Sequence, residues 1–113
     1  MVRRFCQRAW LKRDKVEEYR RLHANAWPGV LKTIGECNLR NYRISLLDTL
    51  VVSTFEYVGE DYEADMRKME ADPVTQEWWK HTKPCFQEHD RGIYYEDMEE
   101  IFSFDGPETG GET

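Results

Sequence analysis

At 113 residues and 13.6 kDa the chain has the length of one domain and buries about two-thirds of its unfolded surface on folding, so its core needs no disulfide staples. Hydrophobic residues make up 40% and charged residues 34%, too apolar for a disordered chain and too broken into short runs for a membrane-spanning helix. The net charge of −6 hides an asymmetry, because residues 1–45 carry 11 Lys/Arg against 4 Asp/Glu while residues 46–113 carry 5 against 18. This reads as two halves that neutralise each other on packing, not as a nucleic-acid surface.

Residues 3–11 alternate, with Phe5, Gln7, Ala9 and Leu11 on one face and Arg4, Cys6, Arg8 and Trp10 on the other, which predicts a strand. Asp14 is placed to open a helix with Glu17 as its capping-box partner, and Glu17 to pair with Arg21. Val16, Tyr19 and His23 then share one helical face. Trp27-Pro28 interrupts this helix, and Pro28 suits the first position of a second one, whose apolar face is Val30, Leu31 and Ile34.

Residues 39–47 and 50–58 predict an antiparallel hairpin around Asp48-Thr49, with Tyr42, Ile44 and Leu46 on a common face. Residues 60–71 return to helical period with the stripe Tyr62, Met66 and Met69. Asp72-Pro73 caps and restarts the helix, which presents Val74, Trp78 and Trp79 and closes at Lys83-Pro84. A last strand is expected from Tyr94 to Phe104. The tail, residues 105–113, holds no core residue and is expected to be disordered.

The order strand, helices, strand, strand, helices, strand is a βαββαβ arrangement. It predicts an α+β, ferredoxin-like domain over residues 1–104, with a four-stranded antiparallel sheet and helices on one face. The other face needs a cover, and a second copy of the chain supplies it economically, giving a homodimer.

Three cysteines at wide spacing, Cys6, Cys37 and Cys85, form no disulfide framework and point to a reducing compartment. The basic N-terminus leads into no apolar signal core, so a cytoplasmic location is expected. His81, Cys85 and His89 recur at intervals of four, but Pro84 breaks a helix through them, so no metal site is assigned.

Four features are candidates for chemistry: His23 beside Tyr19, Asn41-Tyr42 at a strand start, the pair Trp78-Trp79, and the acidic run 96–100. A histidine both gives and takes protons near neutrality, and Trp or Tyr rings offer an apolar face with a polar edge, which suits a sugar. Each feature also has a plain packing reading. His23 and the tryptophans serve a core as readily as a site, and acidic runs are commonly solvated. No nucleophile motif, phosphate loop or dinucleotide fingerprint is present in the sequence. A reaction moving protons on a small polar molecule without a cofactor fits what remains, and Arg20, Asn41 and Arg43 are expected as its polar flanks.

Five segments occur in order: Glu18-Tyr19-Arg20-Arg21-Leu22-His23, Trp27-Pro28, Asn41-Tyr42, Asp72-Pro73-Val74-Thr75-Gln76-Glu77-Trp78-Trp79 and Glu99-Glu100-Ile101-Phe102. In this order and spacing the chain resembles the L-rhamnose mutarotase family. The resemblance implies a dimeric ferredoxin-like fold of the α/β-barrel type and an isomerase that interconverts the α and β anomers of a 6-deoxy-L-sugar without metal or cofactor. It implies His23 as proton donor and Tyr19, Tyr42, Trp78 and Trp79 as substrate contacts. L-fucose is the alternative substrate. A cofactor-free monooxygenase or a small-ligand-binding domain of the same architecture is the alternative of another class. Residues 84–97, with His89, Tyr94 and Tyr95, lie outside the matched motifs and are expected to shape the pocket.

Overall fold

The structure, a computed structural model, describes residues 2–87 and 94–106. Strand β1 (Arg3–Trp10) leads through a 3-10 turn at Arg13–Lys15 into α1 (Val16–Ala24) and α2 (Pro28–Glu36). Strands β2 (Leu39–Leu47) and β3 (Leu50–Tyr57) precede α3 (Tyr62–Ala71), α4 (Pro73–Thr82) and a short β4 (Glu96–Asp97). The sheet order is β2-β3-β1-β4 and every pairing is antiparallel, which is the expected βαββαβ sheet.

Local chemistry sets most boundaries. Pro28 and Pro73 both stand in the first turns of their helices, where a missing N–H costs nothing. The Asp72 carboxylate accepts from the Thr75 N–H and hydroxyl, both at 2.9 Å, and these bonds hold its pKa below the ordinary carboxylate value. Asp61 caps α3 in the same way through the Ala64 N–H. Asp14 behaves differently from expectation. It sits in the 3-10 turn, Lys15 occupies the cap position of α1 without a side-chain bond, and Glu17 pairs with Arg20 instead of Arg21.

The helices cover one sheet face. Ala9, Leu11, Tyr19, Val51, Cys85 and Phe86 form one buried cluster, and Leu39, Phe55 and Tyr57 form another, packed by Ile34, Tyr62, Met66 and Met69. Four rings run across the second cluster: Tyr42 stacks on Phe55 (5.0 Å), Phe55 on Phe5 (4.9 Å), and Phe5 on Tyr62 (4.9 Å). The Tyr57 hydroxyl donates to Asp65 Oδ2 (2.5 Å), which Asn38 also reaches (3.0 Å), tying α3 to the sheet.

The two oppositely charged halves do meet. Arg4 holds Glu100, Arg8 holds Glu96 and Arg13 holds Asp48, each at 2.9 Å. The last strand is shorter than expected. Pairing is confined to Glu96–Asp97 against Arg8 and Gln7, with one further bond from the Met98 N–H to the Cys6 carbonyl (2.7 Å). Beyond it Glu100 and Ser103 reach Arg4 through side chains, not through a ladder. Ile101, Phe102 and Phe104 find no core surface in the same chain and stand 88%, 81% and 75% exposed. Of the expected tail, Asp105 and Gly106 are irregular, and residues 107–113 lie outside the described residues.

Candidate active site

A cavity of about 550 Å³ opens between α1, α2 and α4 and the covered sheet face. Tyr19, His23, Tyr42, Trp78 and Trp79 all line it, so the five residues singled out from the sequence converge on one space. They come from three elements, and each arrives for a local reason.

Tyr19 and His23 are one helical turn apart on α1, with ring centroids 4.3 Å apart. His23 Nδ1 lies 2.9 Å from the Tyr19 carbonyl. A carbonyl oxygen accepts, so Nδ1 carries the hydrogen, and Nε2 is the nitrogen left to exchange a proton. Trp78 stands edge-on to His23 at 5.3 Å and to Trp27 at 5.2 Å, which fixes the imidazole between two turns of packed rings. Trp78 is buried, whereas Trp79 is half-buried and carries Lys83 over its ring at 4.6 Å.

Tyr42 reaches the cavity through a backbone irregularity. Leu39 and Ile44 both face the core, an odd spacing that a regular strand forbids. The register shifts between Arg40, opposite Glu56, and Arg43, opposite Thr54, so two residues of β2 face one of β3. Asn41 absorbs the extra residue at φ 54°, in the left-handed region that asparagine tolerates. The bulge turns Tyr42 onto Phe55. Tyr42 keeps 40% of its surface open, and the groups around it still push its hydroxyl above the ordinary tyrosine pKa by desolvation.

The expected polar flanks do not enter this space. Arg20 pairs with Glu17 on the surface. Asn41 binds Glu56 (2.8 Å), and Arg43 lines a separate cleft with Arg4 and Glu100 on the opposite sheet face. The polar groups present are instead Gln7, bonded to Asp97 Oδ1 at 2.9 Å, and Tyr94 and Tyr95 from the segment before β4. Alternation placed Gln7 on the correct face, where an amide among Phe5, Ala9 and Leu11 is the signal that marks it. Thr75, Thr82 and Lys83 add polar groups from α4 and the turn after it, and most of the remaining wall is apolar, including Val30, Leu31, Ile34, Leu39, Ile44, Met66 and Met69.

His81 and Cys85 do not converge. The Cys85 thiol is buried against the His81 carbonyl, and the exposed imidazole faces Glu77; His89 lies outside the described residues. Of the acidic run, Glu96 and Glu100 are tied to arginines and Asp97 to Gln7.

The L-rhamnose mutarotase family profile matches residues 4–104. The L-rhamnose mutarotase of Lactiplantibacillus plantarum is 29% identical over 103 residues, spanning 90% of this chain and 98% of that one. Among solved structures, the L-rhamnose mutarotase of Formosa agariphila superposes with a TM-score of 0.73 at 14% identity, over 91% of this chain and 99% of that one. The tetracenomycin F2 cyclase of Streptomyces glaucescens shares the fold at a TM-score of 0.66 and 12% identity, over 93% and 99% of the two chains. Fold likeness therefore spans different chemistries, and it is the sequence match from β1 to the segment beyond β4 that decides: the chain belongs to the L-rhamnose mutarotase family.

Proposed function

We propose that the protein interconverts the α and β anomers of L-rhamnose, with His23 as the acid–base group. The observation that carries this reading is an imidazole with one committed and one free nitrogen, set among ring faces in a cavity of about 550 Å³. That volume lies in the range of small-ligand sites. Mutarotation requires a proton to leave the anomeric hydroxyl and another to reach the ring oxygen. The C1–O5 bond breaks, the aldehyde turns about C1–C2, and the ring recloses on the other face. His23, with both ring nitrogens protonated, delivers the Nε2 proton to the ring oxygen and recovers it on closure, while the anomeric proton leaves to water and is regained from water as the ring recloses. Such transfers contribute about 10²–10⁴-fold. Tyr19 and Tyr42 supply hydroxyls, and Trp78 and Trp79 supply faces for the C–H-rich side of the sugar.

The test is NMR exchange between anomeric protons at equilibrium for L-rhamnose, L-fucose and D-glucose. L-rhamnose is expected to be accelerated at least as well as L-fucose. A clear preference for L-fucose would replace the substrate and keep the mechanism, and uncatalysed rates for all three would remove the reading. The apolar arc of the wall favours a second reading in that event, a cofactor-free oxygenase or binding site for a less polar ligand.

We further infer a homodimer in which a second copy covers the exposed Ile101, Phe102 and Phe104 and the Trp10 face of β1; the support is their exposure beside a sheet face that no helix covers. A cytoplasmic location is supported by three free cysteines and, among the described residues, by no helix long and apolar enough to cross a membrane.

A further inference from the structure

We propose that the Gln7 side-chain carbonyl accepts a hydrogen bond from the C2 or C4 hydroxyl of the sugar and so sets which sugar is taken, with Asp97 as its positioning residue. This role rests on the mutarotase reading and adds to it the group that tells one 6-deoxy sugar from another.

Gln7 lies in the middle of β1, on the face that carries Phe5, Ala9 and Leu11, and it lines the cavity. An amide among apolar neighbours needs a polar partner, and β4 brings one. Three successive residues tie β4 to β1. Glu96 pairs with Arg8 (2.9 Å), Asp97 with Gln7, and the Met98 N–H donates to the Cys6 carbonyl (2.7 Å). Asp97 stands opposite Gln7 in the ladder, and its Oδ1 accepts from Gln7 Nε2 at 2.9 Å.

That bond decides which way the amide is turned. A carboxylate accepts and does not donate, so the NH2 end faces Asp97 and the carbonyl oxygen Oε1 points elsewhere. Among the described residues no donor reaches Oε1. Ser53, paired with Gln7 across the β1–β3 ladder, is fully buried, yet its hydroxyl makes no hydrogen bond among the described residues and so does not take that place. Oε1 is therefore the group that Gln7 offers to the cavity, and a sugar arrives with hydroxyls to donate.

The other polar groups of the wall discriminate less. The hydroxyls of Tyr19, Tyr42, Tyr94 and Tyr95 both donate and accept, the Thr75 hydroxyl already donates to Asp72 (2.9 Å), and Lys83 only donates. Gln7 Oε1 accepts and cannot donate, and a strand ladder holds it in place. Such an acceptor requires a hydroxyl at one position. L-rhamnose and L-fucose share the ring, the C6 methyl and the orientation at C3, and differ at C2 and C4. A bond to either of those two hydroxyls separates the sugars, because the wrong epimer leaves the amide oxygen unpaired.

The test is anomer exchange with L-rhamnose and its 2-, 3- and 4-deoxy derivatives. Gln7→Leu is expected to raise KM for L-rhamnose about 5- to 150-fold, the cost of one unmatched polar partner, with kcat and melting temperature little changed. On the 2-deoxy or the 4-deoxy sugar, wild type is expected to show the same rise, and Gln7→Leu to add nothing to it. Asp97→Ala is expected to raise KM by a smaller factor, and Asp97→Asn, whose carbonyl still accepts from Nε2, to restore it. An unchanged KM in Gln7→Leu, a rise of equal size on all four sugars, or a coupling to the C3 hydroxyl alone would overturn the proposal. Tryptophan fluorescence titration with the same sugars gives Kd without turnover. A wild type that binds L-rhamnose without accelerating its exchange would overturn the mutarotase reading alone, and the same comparison in Kd then decides Gln7. One that neither binds nor accelerates any of the four sugars would overturn both.

Discussion

His23 illustrates how little a side chain needs in order to become directional. One bond from Nδ1 to the carbonyl a turn earlier sets the tautomer, and the rings of Trp78 and Tyr19 pack against the imidazole. His23→Ala is expected to lower catalysed exchange of L-rhamnose about 10²–10⁴-fold in a folded protein; NMR line-exchange beside a circular dichroism melt checks both halves. Gly59 shows the opposite case, a residue defined by absence. A Cβ there would lie 2.5 Å from the Tyr57 hydroxyl and 2.8 Å from Asn38 Nδ2. Gly59→Ala must displace the groups that hold Asp65, and a loss of about 1–3 kcal/mol in urea unfolding is expected.

At the scale of elements, the bulge in β2 and the tie between β3 and α3 do the positioning. Asn41 occupies a left-handed conformation at no great cost, but a β-branched residue does not. Asn41→Val is expected to cost about 1–2 kcal/mol and to raise KM, since Tyr42 leaves its stack on Phe55; Asn41→Gly should keep KM near wild type. Denaturant melts and steady-state exchange on both variants separate the two effects. The Asp65 carboxyl is held below its ordinary pKa by bonds from Tyr57 and Asn38. A depressed carboxylate contributes stability that is fully present above the unfolded value, about 3.9 for Asp, and lost as pH falls through the folded value. Asp65→Asn is therefore expected to destabilise the protein at pH 7 and to differ less from wild type at pH 3, as urea midpoints at the two pH values will register.

At the scale of the whole molecule, opposite charges join the two halves, and an apolar segment is left over. Arg4, Arg8 and Arg13 cross from the basic half to Glu100, Glu96 and Asp48. Exposed pairs of this kind contribute little each and are screened by salt, so Arg8–Glu96 and Arg4–Glu100 align β4 and the segment after it more than they stabilise them. Ile101, Phe102 and Phe104 then project from an aligned but uncovered stretch. Sedimentation at micromolar concentration is expected to give twice the chain mass, and Phe102→Asp/Phe104→Asp to give the single-chain mass. A wild type that sediments as a monomer at every concentration would refute the covering argument.

Strand alternation, proline positions and aspartate caps act over a few residues, which is why β1, the hairpin, the breaks at Trp27-Pro28 and Asp72-Pro73, and the shared face of Tyr19 and His23 were legible in the sequence. The ordered motifs also marked all five residues that meet in the cavity. Other features depended on contacts between distant segments. Whether Tyr42 turns inward is settled by register against Phe55, which a one-residue bulge alters. Arg20, Asn41 and Arg43 are near the site in sequence but face away because partners such as Glu17 and Glu56 draw them outward. Tyr95 joins Tyr19 because β4 returns beside β1, and the residues beyond Asp97 leave the sheet because their own chain offers the apolar side chains no surface to bury against.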